Sequence, residues 1–218
     1  MRLAELSRRS GVPTATIKYY LREGLLPPGR RVTATQSEYD DAHLERLRLV
    51  RALVQVGRVP IASARDVLTA LEDDSLDHNS RLGTAVGALP HGPESAEDDA
   101  SDAQARRTVD VLLARLGWQY AQSHKEEFPA YRMLVTAVAT LARLGYPCAV
   151  EDLAPYAHAG GQLAESDLDL IERYESPDRQ LEAAVALTVL YEPVLLSLRR
   201  IAQAEESHHR FGEQRAGE

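Results

Sequence analysis

Thr16–Pro28 reads TIKYYLREGLLPP, with a lysine before two adjacent tyrosines and a glycine and two prolines closing the run. The stretch up to Arg22 shows no alternation, and Glu-Gly-Leu-Leu-Pro-Pro is a helix stop, so a short helix ending near Gly24 is expected. Successive helical residues turn by about 100°. With Ile17 as origin, Tyr20 and Leu21 fall within about 60° of it and complete a buried face. Ala15, Lys18, Tyr19 and Arg22 fall on the opposite side, with Thr16 at the flank. The two tyrosines therefore have different duties. Tyr20 edges a core, and Tyr19 faces outward between two cations.

That outward face suits a duplex. Lys18 and Arg22 can neutralise phosphates. The Tyr19 hydroxyl can donate to a phosphate oxygen, which fixes register without reading sequence. Ala15 and Thr16 are small enough for close backbone approach, and Thr16 can meet a base edge or a thymine methyl. The plain alternative is a solvated helix face with one snorkelling tyrosine.

The flanks add context. Leu3 and Leu6 before Gly11 suggest a two-turn helix, and Pro13 and Thr14 open the next, with Thr14 a candidate N-cap. Helix, short glycine-bearing turn, helix is the spacing of a helix-turn-helix. Gly29–Asp40, GRRVTATQSEYD, has β-branched residues and no helical period, which predicts a two-stranded wing carrying Arg30 and Arg31. Asp40 or Asp41 can cap a third helix bearing Leu44, Leu47, Val50, Leu53 and Val54 and ending at Gly57. Pro60 starts another, with Ile61, Ala64, Val67, Leu68 and Leu71 on one face. Arg8, Arg9, Arg46, Arg48, Arg51 and Arg58 add to the basic character of this block.

The charge is unevenly spread. The 218-residue chain carries 25 Lys+Arg and 33 Asp+Glu, a net of −8. Residues 1–72 hold 12 basic and 8 acidic residues, a net of +4, which leaves −12 for the remainder. A basic head on an acidic body is consistent with nucleic acid at one end only.

LAELSRRSGVPTATIKYYLREGLLPP, followed by EYDDAHLERLRLVRALVQVG and ARDVL, resembles the DNA-binding domain of the MerR family of bacterial transcription regulators over about residues 1–71. The resemblance implies a winged helix-turn-helix, a homodimer and a near-palindromic promoter operator that the protein bends and untwists. RNA polymerase is then an indirect partner, reached through the reshaped promoter. Carried onto this chain, Thr16, Lys18, Tyr19 and Arg22 would be recognition-helix contacts, and Arg30, Arg31 and Tyr39 wing contacts. The chain departs from the family pattern in places. Lys18 stands where arginine is usual, which keeps the charge and loses the bidentate fork. Leu21 replaces an acidic residue, TATQSEY stands where the wing usually has Gly-Tyr-Arg, and Pro13 and Pro60 occupy usual cap positions. The long dimer helix expected after this domain is cut by Pro90, Gly92 and Pro93. Either a short helix before Pro90 or the C-terminal bundle should then do the pairing, and the Leu181, Val185, Thr188, Leu195, Leu198, Ala202 side of the last helix is a candidate seam or intrachain core.

Taken together, the expected architecture is mainly all-α. A winged helix-turn-helix with its small wing spans 1–72, an acidic linker 73–102, a helical effector or dimerisation bundle 103–210 and a tail 211–218. The linker is expected to be partly acidic and flexible, with a short helix at Ser80–Leu89, and the alternative for part of it is an ordered surface loop. The bundle helices are expected from Ala103 to Gly117, over about Pro129–Leu144, over about Val150–Tyr174 with a break at Gly160-Gly161, and over about Asp178–His208 with a kink at Pro193. Several aromatics in the bundle suggest a pocket for a small-molecule effector, with Trp118, Tyr131, Tyr146 and Tyr156 as candidate lining. No cofactor is implied. A metal centre is not expected, since Cys148 is the only cysteine and the histidines are scattered. No nucleophile elbow, phosphate loop or zincin motif occurs, so no catalytic residues are assigned. No apolar run reaches the roughly 18–20 residues of a membrane span, and no signal-peptide pattern opens the chain, so no membrane partner and a cytoplasmic protein are expected. A helical module that binds the transcription machinery with little DNA affinity is the competing reading.

Overall fold

The computed structural model describes residues 1–33, 36–90 and 100–212. The wing tip at 34–35, the expected linker's stretch 91–99 with Gly92 and Pro93, and the tail from 213 onward lie outside the described residues. In chain order the elements are α1 (Leu3–Ser10), α2 (Thr14–Arg22), β1 (Arg30–Arg31), β2 (Ser37–Glu38), α3 (Asp41–Arg51) and a π-helical turn (Ala52–Val56). They continue with α4 (Ile61–Leu71), α5 (His78–Gly87), α6 (Ala100–Leu116), α7 (Gln119–Ser123), α8 (Pro129–Arg143), α9 (Val150–Ile171) and α10 (Pro177–Phe211). The mainly helical fold with one small antiparallel sheet matches the sequence expectation.

The compact units do not follow the expected boundaries at 72 and 102. One unit is Met1–Ala88 together with the C-terminal stretch from Tyr174 onward, and the other is Leu89–Arg173. Residues 78–87 form α5, which is capped by Asp77 and packs on α4 and α10. The last helix returns to the first unit, where Leu181, Val185 and Val189 are buried. An apolar helix face announces that it will be buried, not against which partner.

The first unit buries apolar side chains that include Leu6, Val12, Ile17, Tyr20, Leu47 and Leu53, each at most 2% exposed. Gly11 adopts φ 67 and closes α1, and Gly24 adopts φ 73 just beyond α2, the left-handed geometry that glycine accepts without a Cβ penalty. Thr14 is the first helical residue of α2 and not its cap, because extended Pro13 takes the cap position. Asp40 caps α3, accepting from the His43 amide at 3.1 Å, while His43 Nδ1 lies 3.3 Å from the Asp40 amide.

Three arginines finish helix ends in this unit, and a fourth, Arg46, holds the turn after α2. Arg51 Nη1 donates to Ser10 O after α1 at 3.0 Å, and Arg65 Nε donates to Glu23 O after α2 at 2.9 Å. Arg46 Nε donates to Leu25 O at 3.1 Å, and Arg81 Nε donates to Leu71 O at the end of α4 at 3.1 Å. The last carbonyls of a helix are unpaired and carry partial negative charge, so a guanidinium there satisfies both needs. Buried Arg46 therefore serves the fold rather than an outward basic surface, and exposed Arg51 is partly committed to the fold through Ser10 O. The net +4 of residues 1–72 overstates the unpaired positive charge at the surface.

The wing is two residues deep on each side, with Arg30 opposite Glu38 and Arg31 opposite Ser37. Gly29 leads into it under tight constraint. A Cβ there would stand 2.6 Å from Glu38 O and 2.8 Å from Tyr39 Cε1. Gly29→Ala should force the strands apart and cost about 1–3 kcal/mol, read as a lower urea midpoint with unchanged slope.

The second unit centres on α6 and α8. Ala105, Val109 and Leu113 face Tyr131, Val135, Val138 and Ala139, with Phe128, Cys148 and Leu153 at the margin. Asp102, 3% exposed, pairs with Arg143 at 3.0 Å. α9 runs unbroken through Pro155 and Gly160-Gly161, so the expected break is absent, and none of its residues is buried. α10 likewise passes Pro193 as one helix of 35 residues.

Candidate nucleic-acid interface

The two faces of α2 lie as the 100° periodicity requires. Ile17 and Tyr20 are buried and Leu21 is half-buried, while Lys18 and Arg22 are exposed. Thr16 and Tyr19 are half-buried at the edge of that outer face. Tyr19 has more neighbours than a snorkelling side chain needs. The Arg22 guanidinium lies 5.4 Å from its ring centroid, and its ring sits 6.0 Å from that of Tyr20, tilted by 51°. The cation–π contact holds Arg22 across the ring, and Glu23 Oε1, 4.0 Å from Arg22 Nε, limits its swing. Arg22 is thus held at the surface with donors to spare, and Lys18 projects beside it.

The wing supplies fewer cations than its sequence suggests. Arg30 Nη2 is bound to Glu38 Oε2 at 2.6 Å across the strands, which cancels much of its charge. Arg31, opposite Ser37, is exposed. Tyr39 does not share this surface. It is 8% exposed, with its ring edge-on to His43 at 5.2 Å and Gly29 against it. Its backbone is a joint as well: the Tyr39 amide donates to Met1 O at 2.8 Å, and the Met1 ammonium donates to Tyr39 O at 2.5 Å. The ring precedes the Asp40 cap, where an apolar group sets the direction in which the chain enters a helix. Hydrogen bonding from His43 holds the Asp40 carboxyl below the usual carboxylate range, so this cap is ionised through neutral pH.

Arg8, Arg48 and Arg58 are exposed elsewhere on the unit, while Arg9 is paired with Asp41 at 3.0 Å. Sequence reasoning weighed these arginines alike. The visible signal that divides them is burial, with Arg46 9% exposed on the inner side of α3 beside Leu47 and Val50.

The candidate effector residues of the second unit are dispersed. Tyr131 is interior, donates to Asp110 Oδ1 at 2.9 Å and lies beneath Lys125 Nζ at 5.7 Å. Burial, then the Asp110 contact, pushes its hydroxyl up to about 12. Trp118 lies against Gly161 of α9, where an added Cβ would come within 3.6 Å of the indole. Tyr146 and Tyr156 are each more than 60% exposed, the reverse of an enclosed cage. A different aromatic group, Tyr120 with His124 at 4.4 Å and Phe128 at 5.8 Å, is the one drawn together.

An outward helix with two cations and a clamped tyrosine, beside a short wing, defines a winged helix-turn-helix head. Residues 1–71 match the model of the MerR HTH family regulatory protein. A crystal structure described as "the putative transcriptional regulator SCO5550 from Streptomyces coelicolor A3(2)" is 51% identical, with a TM-score of 0.80, and the match covers 97% of this chain and 98% of that one. The chain belongs to the MerR family. Nodulation protein NolA of Bradyrhizobium sp. (strain NC92) is 29% identical over 140 residues, covering 63% of this chain and 58% of that protein. The HTH-type transcriptional regulator ZntR homolog of Haemophilus influenzae is 34% identical over 50 residues, 23% of this chain and 37% of that protein. The chain spans about half to three-fifths of the length of the NolA relatives it matches, 58% and 49% of two of them.

Proposed function

We propose that the protein is a homodimeric, cytoplasmic, non-enzymatic transcription regulator. Each copy presents α2 and its wing to one half of a near-palindromic promoter operator and distorts it, so that RNA polymerase responds to the changed DNA. The carrying observation is the outer face of α2, where Lys18 and Arg22 stand exposed beside half-buried Tyr19 while Ile17 and Tyr20 anchor the helix from behind. On this reading Thr16 meets a base, and Arg31 is the stronger phosphate ligand on the wing because Arg30 is paired with Glu38. Tyr39 acts by holding the wing's base.

The outer half of α10 supports the dimer. By length and composition α10 is apolar enough to cross a membrane, with a window of mean hydropathy 1.6. Only 28% of that window is buried: its inner half is core of the first unit through Leu181, Ala183, Ala184, Val185 and Val189, and its outer half is not. Beyond Leu190 the helix is exposed, and Tyr191, Val194, Leu195, Leu198 and Ile201 share one side of it. In an antiparallel pair centred on Leu196, Tyr191 comes level with Ile201 and Val194 with Leu198, giving apolar layers on both sides of the centre. The outer part of the expected seam is thus open to a second copy, and its inner part, Leu181 and Val185, is intrachain core. The second unit is the reading's site for a small-molecule effector.

A salt titration against the gene's own upstream DNA tests the reading. Affinity should fall steeply with salt, and Lys18→Ala should weaken binding and reduce the slope of log K against log salt by about 1. Tyr19→Ala should weaken binding too, by freeing Arg22. Equal affinity of both variants and the native chain would refute the assignment of α2. A strict monomer without DNA affinity would favour a protein-interaction module instead.

A further inference from the structure

Between α3 and α4 the backbone leaves regular α geometry. Gly57 N donates to Ala52 O at 2.8 Å, five residues back, and Val59 N donates to Leu53 O at 2.9 Å, six back. Arg58 then adopts φ 54, the single left-handed non-glycine position among the described residues. A widened turn followed by a left-handed arginine is a disfavoured conformation that persists where surrounding packing holds it. The packing here comes from the far end of the chain. α10 packs on this turn, and a Cβ built on Gly57 would collide with Val189 Cγ1. Val189, 6% exposed, fills the space that the missing side chain leaves. Arg179 of α10 also pairs with Glu45 of α3, so the docking has a second point of attachment.

The turn has consequences at α2. Arg46 on α3 holds Leu25 O, and Arg65 on α4 holds Glu23 O and pairs with Glu23 Oε2 at 3.4 Å. The end of α2 and the turn that follows it are therefore pinned by one arginine from each side of the π-helical turn. Any change in the angle between α3 and α4 separates those two anchors. Small displacements of this kind matter, since recognition geometry must hold base-edge and phosphate contacts together.

We propose that Val189 is a positioning residue for DNA reading. Seated at Gly57, it braces the π-helical turn and so sets where Arg46 and Arg65 hold the end of α2. The inference rests on the DNA-binding reading for its output and on the first unit's packing for its mechanism.

The test compares the full-length native chain with Gly57→Ala, Val189→Ala and the double variant, in a thermodynamic cycle. Two readouts are taken: amide exchange at Leu25 and Leu26, whose N–H groups bond to Tyr20 O, and the ratio of affinity for the gene's own upstream DNA to affinity for unrelated DNA. Gly57→Ala should speed that exchange about 10-fold and lower the ratio about 10-fold, leaving non-specific binding nearly unchanged. The double variant should recover to within about 3-fold, because alanine at 189 makes room for the new Cβ. Loosened α10 amides with unchanged Leu25 and Leu26 would overturn the proposal, as would a double variant no better than Gly57→Ala. Should Gly57→Ala not fold, Val189→Ala decides alone: faster exchange at Leu25 and Leu26 supports the proposal and unchanged exchange overturns it. A native chain with no preference for its upstream DNA would refute the DNA-binding reading, while the exchange cycle still decides the positioning.

Discussion

Leu198→Asp with Ile201→Asp is expected to yield a monomer and to weaken operator binding by about 10²–10⁴-fold. Leu198 and Ile201 are 58% and 59% exposed on the outer half of α10, so their replacement removes little intrachain packing. In the pairing above, Leu198 faces Val194 and Ile201 faces Tyr191, and each copy would set carboxylates against an apolar partner. Desolvating a carboxylate without a counter-charge costs far more than the lost apolar contact. Two DNA-binding heads joined in one dimer bind with a high effective concentration for the second half-site, and a monomer forfeits it. Sedimentation should show the loss of the dimer, and thermal unfolding of the second unit should be unchanged. A variant that remains a dimer would move the interface off this half of α10. A variant that becomes a monomer yet keeps full operator affinity would detach dimerisation from DNA binding.

Arg46→Met should destabilise the first unit by about 2–3 kcal/mol. Methionine keeps much of the aliphatic stem, so the loss reports the guanidinium. Arg46 donates to Leu25 O at 3.1 Å and pairs with Glu72 at 2.9 Å, and burial lowers its pKa. Glu72 is 65% exposed and returns to water, while Leu25 O has no such escape. Nearby Glu182 sharpens the test. Burial raises the pKa of its carboxyl and Arg179 and Arg46 oppose that, so the variant should raise it further. A raised carboxyl pKa favours the folded state below the titration and disfavours it above. The deficit of Arg46→Met should therefore shrink as pH falls through the Glu182 titration, read from urea midpoints at a series of pH values. Arg48→Ala, exposed on the same helix, should stay within about 0.5 kcal/mol.

These two variants also mark what sequence reading could and could not reach. The faces of α2 were legible because helical geometry alone separates Tyr19 from Tyr20. The wing was legible from its β-branched run, and the arginine opposite a glutamate followed only once the register was known. Tyr39 was misplaced onto the wing surface for the same reason. Nothing local shows that Gly29 and the chain terminus would close over it. The arginines were equivalent on paper, since a guanidinium's duty depends on which carbonyl comes within its reach. For Arg46 that carbonyl is 21 residues away, and for Arg65 it is 42.

The division of the chain was the hardest feature to foresee. The acidic, proline-bearing composition after residue 72 suggested a linker, yet α5 within it is capped and packed. Composition records the exposed side of such a helix more strongly than its few buried residues, of which α5 has Ala85. By itself, the sequence determined the helical class, the wing, the outward side of α2 and the apolar character of the last helix, because those follow from periodicity, capping and turn chemistry. The tertiary structure alone decided that Val189 meets Gly57, that Arg46 and Arg65 clamp the end of α2, and that the inner half of α10 is core while its outer half is open. Each of those depends on which surfaces meet across long chain separations, and a one-dimensional pattern specifies that a face will be buried without specifying its partner.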